Sequence, residues 1–382
     1  MRRKRLLILI TEYYYFESHK QDLTVAAAEE GYDVFVAARR GTSAVPANAP
    51  FMFVDLAWKR SPSLFGSLVR FFPELLRVRR VIEDIKPDVL HNIALKPTIM
   101  GALVAASRDM SVIHSINGLG FVFYARSVFA RCVQMFCGWV LRLSARRNKA
   151  QVVLQNRDDA AYVRDRLGLP ATHIQLIRGS GIDLERFKML PEPENTPVRF
   201  LVIGRLLFMK GVDVAVAAHQ ILRTRGVMSE IAFAGGRDDG NPSSIPEATI
   251  SAWAKLPGVL FLGHVANIEP IIANAHVVLQ PAVAGEGLPR SLLEAAACGR
   301  ALIATDVSGN REIVDSDTGL LVPPSNPLAL ADAMMRMAED SALRARLAQA
   351  ARSKAEREFS AALIHQQHRQ LYGTIQESES GA

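Results

Sequence analysis

The sequence predicts an α/β protein built from two doubly wound parallel sheets. Short apolar runs alternate with helical patterns along all 382 residues. Most of these runs are continuously apolar rather than alternating, the mark of parallel strands covered by helices on both faces. A polar, proline-rich segment, Pro191-Glu-Pro-Glu-Asn-Thr-Pro197, separates six such runs from six more. The length suits two or three domains, and 49% apolar residues suffice for two large cores.

In the first half, strands are expected at 6–10, 34–38, 89–93, 112–116, 152–155 and 174–177. The first follows the basic lead-in Met1-Arg-Arg-Lys-Arg5 and stops at Thr11-Glu12. That run is too short for a signal peptide, and no small-residue cleavage site follows. In the second half, strands are expected at 199–203, 230–234, 259–262, 277–280, 301–304 and 320–322. A last long helical pattern over 341–374 is charged with an apolar stripe, and fraying is expected over 377–382. No stretch of about 18 uncharged apolar residues suggests a membrane span. The nearest candidate, 127–143, is broken by Arg131 and Arg142.

Three cysteines, Cys132, Cys137 and Cys298, form neither a disulfide framework nor metal-ligand spacing, which fits a reducing cytosol. The net charge of +7 is uneven: residues 1–195 carry 28 Lys+Arg against 19 Asp+Glu. The first half therefore suits an anionic neighbour.

Ligands of open α/β sheets sit beyond the carboxyl ends of the strands, so the residues just after each strand matter most. After 277–280 comes Glu286-Gly-Leu-Pro-Arg-Ser-Leu-Leu-Glu294, with Pro289 expected at the first helical position and Gly299 at the stop. The N-terminus of such a helix can hold a diphosphate. At 1.5 Å per residue, Glu294 lies roughly 10 Å along from Glu286, so the two carboxylates can reach hydroxyls at opposite ends of a nucleotide-sugar. A solvated helix with a glutamate in its first turn is the plainer reading of the same spacing.

After 199–203 come Gly204-Arg205 and Lys210-Gly211. This is no Walker A loop, because Ser or Thr does not follow the lysine. Arg205 and Lys210 still suit a diphosphate leaving group. Gly235-Gly236 after the next strand permits close backbone approach, and His264 after 259–262 is placed to stack on or pair with a nucleobase. Gly118-Leu-Gly120 lacks the third small residue of a dinucleotide fingerprint, since Phe123 stands there. Asp315-Ser-Asp317 has metal-binding spacing but precedes Thr318-Gly319, which is turn chemistry. His19, His91 and His114 lie near strand ends or in an early helix, where a structural role is the commoner one.

Together, Gly-Arg…Lys-Gly, the Glu-x7-Glu run, Gly309-Asn-Arg-Glu-Ile and Thr318-Gly-Leu-Leu-Val resemble the retaining GT-B glycosyltransferases of family 4. In the first half, Ser18-His19-Lys20, Lys96-Pro97, the 117–123 run and 152–156 with Asp158-Asp159 resemble the branch that builds bacterial surface polysaccharide on a lipid carrier. The resemblance implies two Rossmann-like domains facing a cleft: residues 1–190 binding acceptor and 198–360 binding a nucleotide-sugar donor. It implies that the C-terminal helix, 361–382, returns to the first domain.

The resemblance further implies that Arg205 and Lys210 bind the diphosphate and stabilise its developing charge. Glu286 would contact the donor sugar and Glu294 the ribose of a UDP-like nucleotide. Gly287 and Leu288, with Gly204, Gly235 and His264, would line the donor site. His19, Lys96, Asn117 and Gly118 would lie on the acceptor side. It implies a retaining hexosyltransferase with no metal, no cofactor and no protein nucleophile, the leaving phosphate taking the acceptor proton. Two departures stand out: Thr11-Glu-Tyr-Tyr-Tyr-Phe16 replaces a Gly-Gly loop, and Asn117 stands where many relatives carry histidine.

Basic amphipathic stretches at 61–86 and 129–149 suit an anionic membrane interface. No basic–aromatic module for nucleic acid is evident. The expected protein is therefore a cytoplasmic enzyme, peripheral on the inner face of the plasma membrane, moving a hexose or N-acetylhexosamine from a UDP-sugar to a polyprenyl-diphosphate-linked saccharide. Transfer to a soluble acceptor and an inactive scaffold module are the alternatives. Intact Arg205, Lys210, Glu286 and Glu294 argue against the scaffold.

Overall fold

Continuous apolar runs become strands buried on both faces. Leu6, Ile8 and Ile10 sit in one core cluster while Leu7 and Leu9 sit in another, as the two-residue period of a strand dictates. The computed structural model describes residues 3–58, 64–120, 123, 127–194 and 197–380, without the side chains of 64–69 and 377–380. Met1 and Arg2 of the basic lead-in, Ser61, Phe121, Val122, Asn195, Thr196 and the last two residues lie outside the described residues, as do the side chains of Leu64, Phe65 and Leu68.

The chain divides into two compact units: Met1–Gly181 with Ala362–Ala382, and Ile182–Ala361. In the first unit the strands are β1 Arg5–Glu12, β2 Asp33–Arg39, β3 Met52–Asp55, β4 Val89–Ile93, β5 Ser111–Ile116, β6 Gln151–Leu154 and β7 Ile174–Leu176. They form one parallel sheet in the order β3-β2-β1-β4-β5-β6-β7. In the second unit they are β8 Val198–Ile203, β9 Ser229–Ala234, β10 Val259–Gly263, β11 Val277–Gln280, β12 Ala301–Thr305 and β13 Leu320–Val322. Their parallel order is β10-β9-β8-β11-β12-β13. The strand order of each sheet reverses once, between β1 and β4 and between β8 and β11. Those two switch points are where such sheets bind ligands.

Three expectations change. The first sheet has a seventh strand, β3, at an edge. It carries the short apolar run Phe51-Met-Phe-Val54, which is not among the expected strands, and as an edge strand its residues stay exposed or half-exposed. The helical pattern over 341–374 is two helices, Ser341–Phe359 and Ala361–Ser380. Ser360 between them is extended and bridges to Ile182. Helix Val128–Asn148 has the length and composition to cross a membrane. Its Cys137, Leu141 and Ala145 nevertheless pack in a core with Leu154 and Val163.

The proline-rich segment lies within the second unit. Arg300 Nη2 donates to the Pro191 carbonyl at 2.9 Å, and Arg344 Nε donates to Glu192 at 2.5 Å. The chain crosses between units earlier, at Gly181. Helix Ala361–Ser380 belongs to the first unit, where the buried Tyr372 hydroxyl lies 2.8 Å from His91 Nδ1 and the Tyr32 hydroxyl donates to the Tyr372 carbonyl at 3.2 Å.

Candidate functional site

In the second unit, backbone hydrogen bonds tie the loops after five strands into one surface. Gly235 N donates to the Gly263 carbonyl at 2.8 Å and Leu206 N to the Gly236 carbonyl at 3.0 Å. Val283 N donates to the Met209 carbonyl and Glu286 N to the Ser308 carbonyl, each at 3.0 Å. The bonds run from the end of β10 through β9, β8 and β11 to β12.

Glycines let the loops approach this closely. Gly211 has φ +70°, and a Cβ there would stand 1.9 Å from the Pro281 carbonyl oxygen. Gly309 has φ +81°, and a Cβ would stand 2.6 Å from the Glu286 carbonyl oxygen. Neither position accepts a side chain without moving backbone. Asn310 beside it is fully buried and donates to the Thr305 carbonyl at 2.8 Å. The Gly309-Asn motif therefore holds the loop that carries Glu286.

On this frame Lys210 Nζ meets Glu286 Oε1 at 2.6 Å, both about a quarter exposed. One follows β8 and the other β11, so the pair sits at the switch point of the sheet. Arg205 is paired separately, its Nη1 donating to Asp238 in the loop after β9. Gly204 and Gly235 face each other, since a Cβ on Gly235 would strike the Gly204 carbonyl. His264 is exposed and lies beside Gly236.

Helix Arg290–Ala297 begins after an extended Pro289 (ψ 113°), so the proline is its N-cap rather than its first residue. Gly287 and Leu288 lead into this N-terminus, and Leu288 packs partly on the core. Glu294 is 8% exposed and accepts from Arg290 Nε at 2.8 Å. Burial raises its pKa above the ordinary carboxylate range, against the opposing charges of Arg290 and Arg186. Arg186 in turn bonds Glu269 and lies over the Phe187 ring.

In the first unit, Tyr15 links two of the residues singled out from sequence. His19 stacks on the Tyr15 ring with centroids 4.6 Å apart. The Tyr15 hydroxyl accepts from Asn117 Nδ2 at 3.0 Å, and Asn117 Oδ1 accepts from Gln155 Nε2 at 2.9 Å. Gly118 follows Asn117 in the same loop, which is anchored where Leu119 N donates to Asp159 at 3.3 Å. Lys96 joins a different group: its Nζ pairs with the buried Glu74 at 2.7 Å and sits over the Trp58 ring.

His91 and His114 are fully buried. His91 bonds Tyr372 and Ser115, and His114 bonds Asn92 and Ser144. Burial pushes His114 down to about 3, and burial with the nearby His368 and Lys20 pushes His91 well down. Both are neutral structural groups. Asp315 Oδ1 accepts from the Asp317 and Thr318 amides at 3.0 and 3.1 Å, and Lys354 holds its other oxygen at 2.7 Å. Those bonds make a turn. Among the described residues no cluster of His, Cys, Asp and Glu has metal-holding geometry.

Sequence reading missed Tyr15, Gln155, Asp238 and Arg290. Only Arg290 carried a signal, its four-residue spacing from Glu294 on a helix.

A family described as "Glycosyl transferases group 1" matches residues 197–340, and "Glycosyltransferase Family 4" matches residues 17–186. Among curated proteins, the chain is 26% identical over 310 residues to the Campylobacter jejuni N,N'-diacetylbacillosaminyl-diphospho-undecaprenol alpha-1,3-N-acetylgalactosaminyltransferase, covering 78% of this chain and 79% of that one. Among solved structures, sucrose-phosphate synthase of Thermosynechococcus elongatus superposes with TM-score 0.80 at 19% identity, over 98% of this chain and 100% of that one. HepE of Anabaena, in complex with UDP and glucose, superposes with TM-score 0.74 at 17% identity, over 99% and 100%. These neighbours share the GT-B fold.

Proposed function

The chain belongs to the group 1, or family 4, glycosyltransferases, and from that premise we propose that it moves a hexose or N-acetylhexosamine from a UDP-sugar, with retention, onto a saccharide carried by polyprenyl diphosphate. The carrying observation is the Lys210–Glu286 pair at the switch point between β8 and β11. It joins a cation suited to phosphate and a carboxylate suited to sugar hydroxyls, beside a helix N-terminus. HepE, of the same fold, holds UDP and glucose, and the Campylobacter relative is named for a diphospho-undecaprenol acceptor.

In this reading residues 198–360 bind the donor and 1–190 the acceptor. Arg205 and Lys210 exchange their carboxylate partners, Asp238 and Glu286, for diphosphate oxygens. They then stabilise the charge that grows on the phosphate as the bond from the sugar's anomeric carbon to phosphate oxygen breaks. The acceptor hydroxyl forms its bond on the same face, and its proton passes to the leaving phosphate oxygen. Glu286 orients the sugar. Glu294 accepts from the ribose hydroxyls, and Gly204, Gly235, Gly287, Leu288 and His264 complete the donor pocket. His19, Asn117 and Gly118 face the acceptor. The reaction needs no metal or cofactor. The basic first half and the exposed apolar residues of helix 128–148 hold the enzyme on the inner face of the plasma membrane.

Calorimetry with UDP tests the donor site, with transfer followed as UDP release. Glu294→Ala is expected to weaken UDP binding about tenfold or more. Wild-type affinity is expected to fall with acidity, starting above the ordinary carboxylate range, because the raised pKa of Glu294 protonates its acceptor oxygens early. Glu294→Gln is expected to remove the carboxylate's share of that pH dependence. It should leave the share set by protonation of the UDP phosphate itself, at about pH 6. No binding of UDP or any other nucleoside diphosphate would overturn the assignment.

A further inference from the structure

A groove of about 870 Å³ lies on the first unit, between helix Val128–Asn148 and the end of helix Arg157–Asp165. Three arginines line it, Arg131, Arg142 and Arg166, together with Phe123, Trp139 and Tyr162. Among the described residues, no carboxylate lines it. Asp165 lies within electrostatic reach of Arg166 and is already held by Arg164 at 2.7 Å. Arg142 is held in place by donating to the Leu167 carbonyl.

Helical geometry builds this face. Arg131, Met135, Gly138 and Arg142 are spaced four, three and four residues apart, so they share one side of the helix. Gly138 is buried, and a Cβ there would stand 3.2 Å from Arg142 Nη1 and 3.4 Å from the Leu167 side chain. A glycine in mid-helix weakens the helix, and here it leaves the floor of the groove open. Met135 and Trp139 belong also to an exposed apolar stripe with Val128, Phe129 and Phe136, of which Val128 is 76% and Met135 71% exposed. Trp139 stacks on Phe136 with centroids 6.0 Å apart. A cationic groove thus opens onto apolar surface.

We propose that this groove seats the diphosphate head of a membrane lipid, with the lipid chain running along the Met135–Phe136–Trp139 stripe. The inference rests on the lipid-linked acceptor reading above and gives that acceptor a second point of attachment. Guanidinium forks match phosphate oxygens in pairs, and three of them suit a diphosphate better than the single charge of an ordinary phospholipid. The apolar stripe suits hydrocarbon, and arginines beside it reach headgroup level. Asn117 and Phe123 are six residues apart in the chain, so the acceptor side and the groove lie at most about 22 Å apart at these two residues.

The test is sedimentation of the full chain with neutral phosphatidylcholine vesicles, doped either with undecaprenyl diphosphate or with phosphatidylglycerol to the same total charge. Binding to the diphosphate vesicles is expected to be at least tenfold tighter, with Trp139 emission shifting to the blue. The double substitution Arg131→Gln with Arg166→Gln is expected to reduce it to the phosphatidylglycerol level, and Gly138→Leu to block it. Thermal melting of both variants, followed by far-ultraviolet circular dichroism, is expected to match the wild type, which separates loss of the groove from loss of the first unit's fold. Unchanged calorimetric UDP affinity shows that the second unit is intact. Equal binding to both vesicle types, or wild-type binding by the double variant, overturns the groove. A groove that binds the diphosphate in an enzyme that transfers no sugar to any lipid-linked saccharide overturns the acceptor reading instead.

Discussion

At the switch point of the second sheet, Lys210 pairs with Glu286 across loops crowded by Gly211 and Gly309. Beyond β1 and β5 of the first sheet, Tyr15, Asn117 and Gln155 form a chain of neutral hydrogen bonds. The same strand order carries both. His91 and His114, on β4 and β5 of that sheet, are buried, and burial pushes both well below the ordinary imidazole value. The switch-point surface of the second unit offers fixed charge to an anion, and the Tyr15–Asn117–Gln155 surface of the first offers amide and hydroxyl groups. Neutral partners suit the hydroxyls of a saccharide, and exchangeable ion pairs suit a diphosphate. The contrast separates substitutions that break chemistry from those that alter recognition.

Lys210→Ala attacks the charged side directly. If Lys210 meets the charge that grows on the leaving phosphate, turnover is expected to fall about 10²–10³-fold, or roughly 3–4 kcal/mol of transition-state stabilisation. Thermal melting should also fall, but modestly, because the pair is three-quarters buried while still reaching solvent. Loss of folding without a kinetic defect in the surviving fraction would place the lysine in the scaffold rather than the chemistry. UDP-release rates on folded protein read the difference.

Gly309→Ala strikes the frame rather than the charge. Its Cβ would lie 2.5 Å from the Gly287 carbonyl oxygen, at a backbone φ of +81°. The substitution is expected to cost about 2–4 kcal/mol in a urea melt. UDP affinity should fall as well, since the shifted loop carries Glu286. The crowded side of the comparison predicts both losses together. A stable variant with full UDP affinity would show that the loop is not held by this contact.

Strands and the charged candidate residues were legible because each has a local signature. Runs such as Leu6–Ile10 report burial on both faces, and Arg205, Lys210, Glu286 and Glu294 stand at fixed offsets around strand ends. The features that stayed hidden depend on partners distant in sequence. Tyr15 becomes informative only when Asn117, a hundred residues on, meets its hydroxyl. Asp238 matters because the loops after β8 and β9 adjoin. Edge strand β3 has only the four-residue apolar run Phe51-Met-Phe-Val54, and it is pairing with β2 rather than its own burial that makes this run a strand. The break at Ser360 falls where one extended residue bridges to Ile182 rather than at any proline or glycine.

The first unit also stores an electrostatic cost. Lys20 is 5% exposed, and burial pushes its pKa from 10.5 down to about 8, with Asp22 opposing. Because the unfolded chain holds this proton more tightly, the penalty is fully present below the folded value. It fades as pH rises from about 8 towards 10.5. Lys20→Met is therefore expected to stabilise the protein by about 1–3 kcal/mol near neutral pH. The gain should shrink in urea melts at about pH 10. An advantage that stays constant with pH would come from packing instead.

Tyr15→Phe makes the smallest and most selective change. It keeps the ring on which His19 stacks and removes the hydroxyl that accepts from Asn117. Losing one neutral hydrogen bond in a half-exposed setting is worth about 1 kcal/mol. If that bond fixes Asn117 for an acceptor hydroxyl, KM for the acceptor should rise about fivefold. KM for the donor should not change, because no part of the second unit is touched. Asn117→Ala should raise acceptor KM further, and adding Tyr15→Phe to it should then cost nothing, since both remove the same bond. A rise in donor KM from either substitution would move Tyr15 and Asn117 out of the acceptor role and break the division of labour between the two sheets.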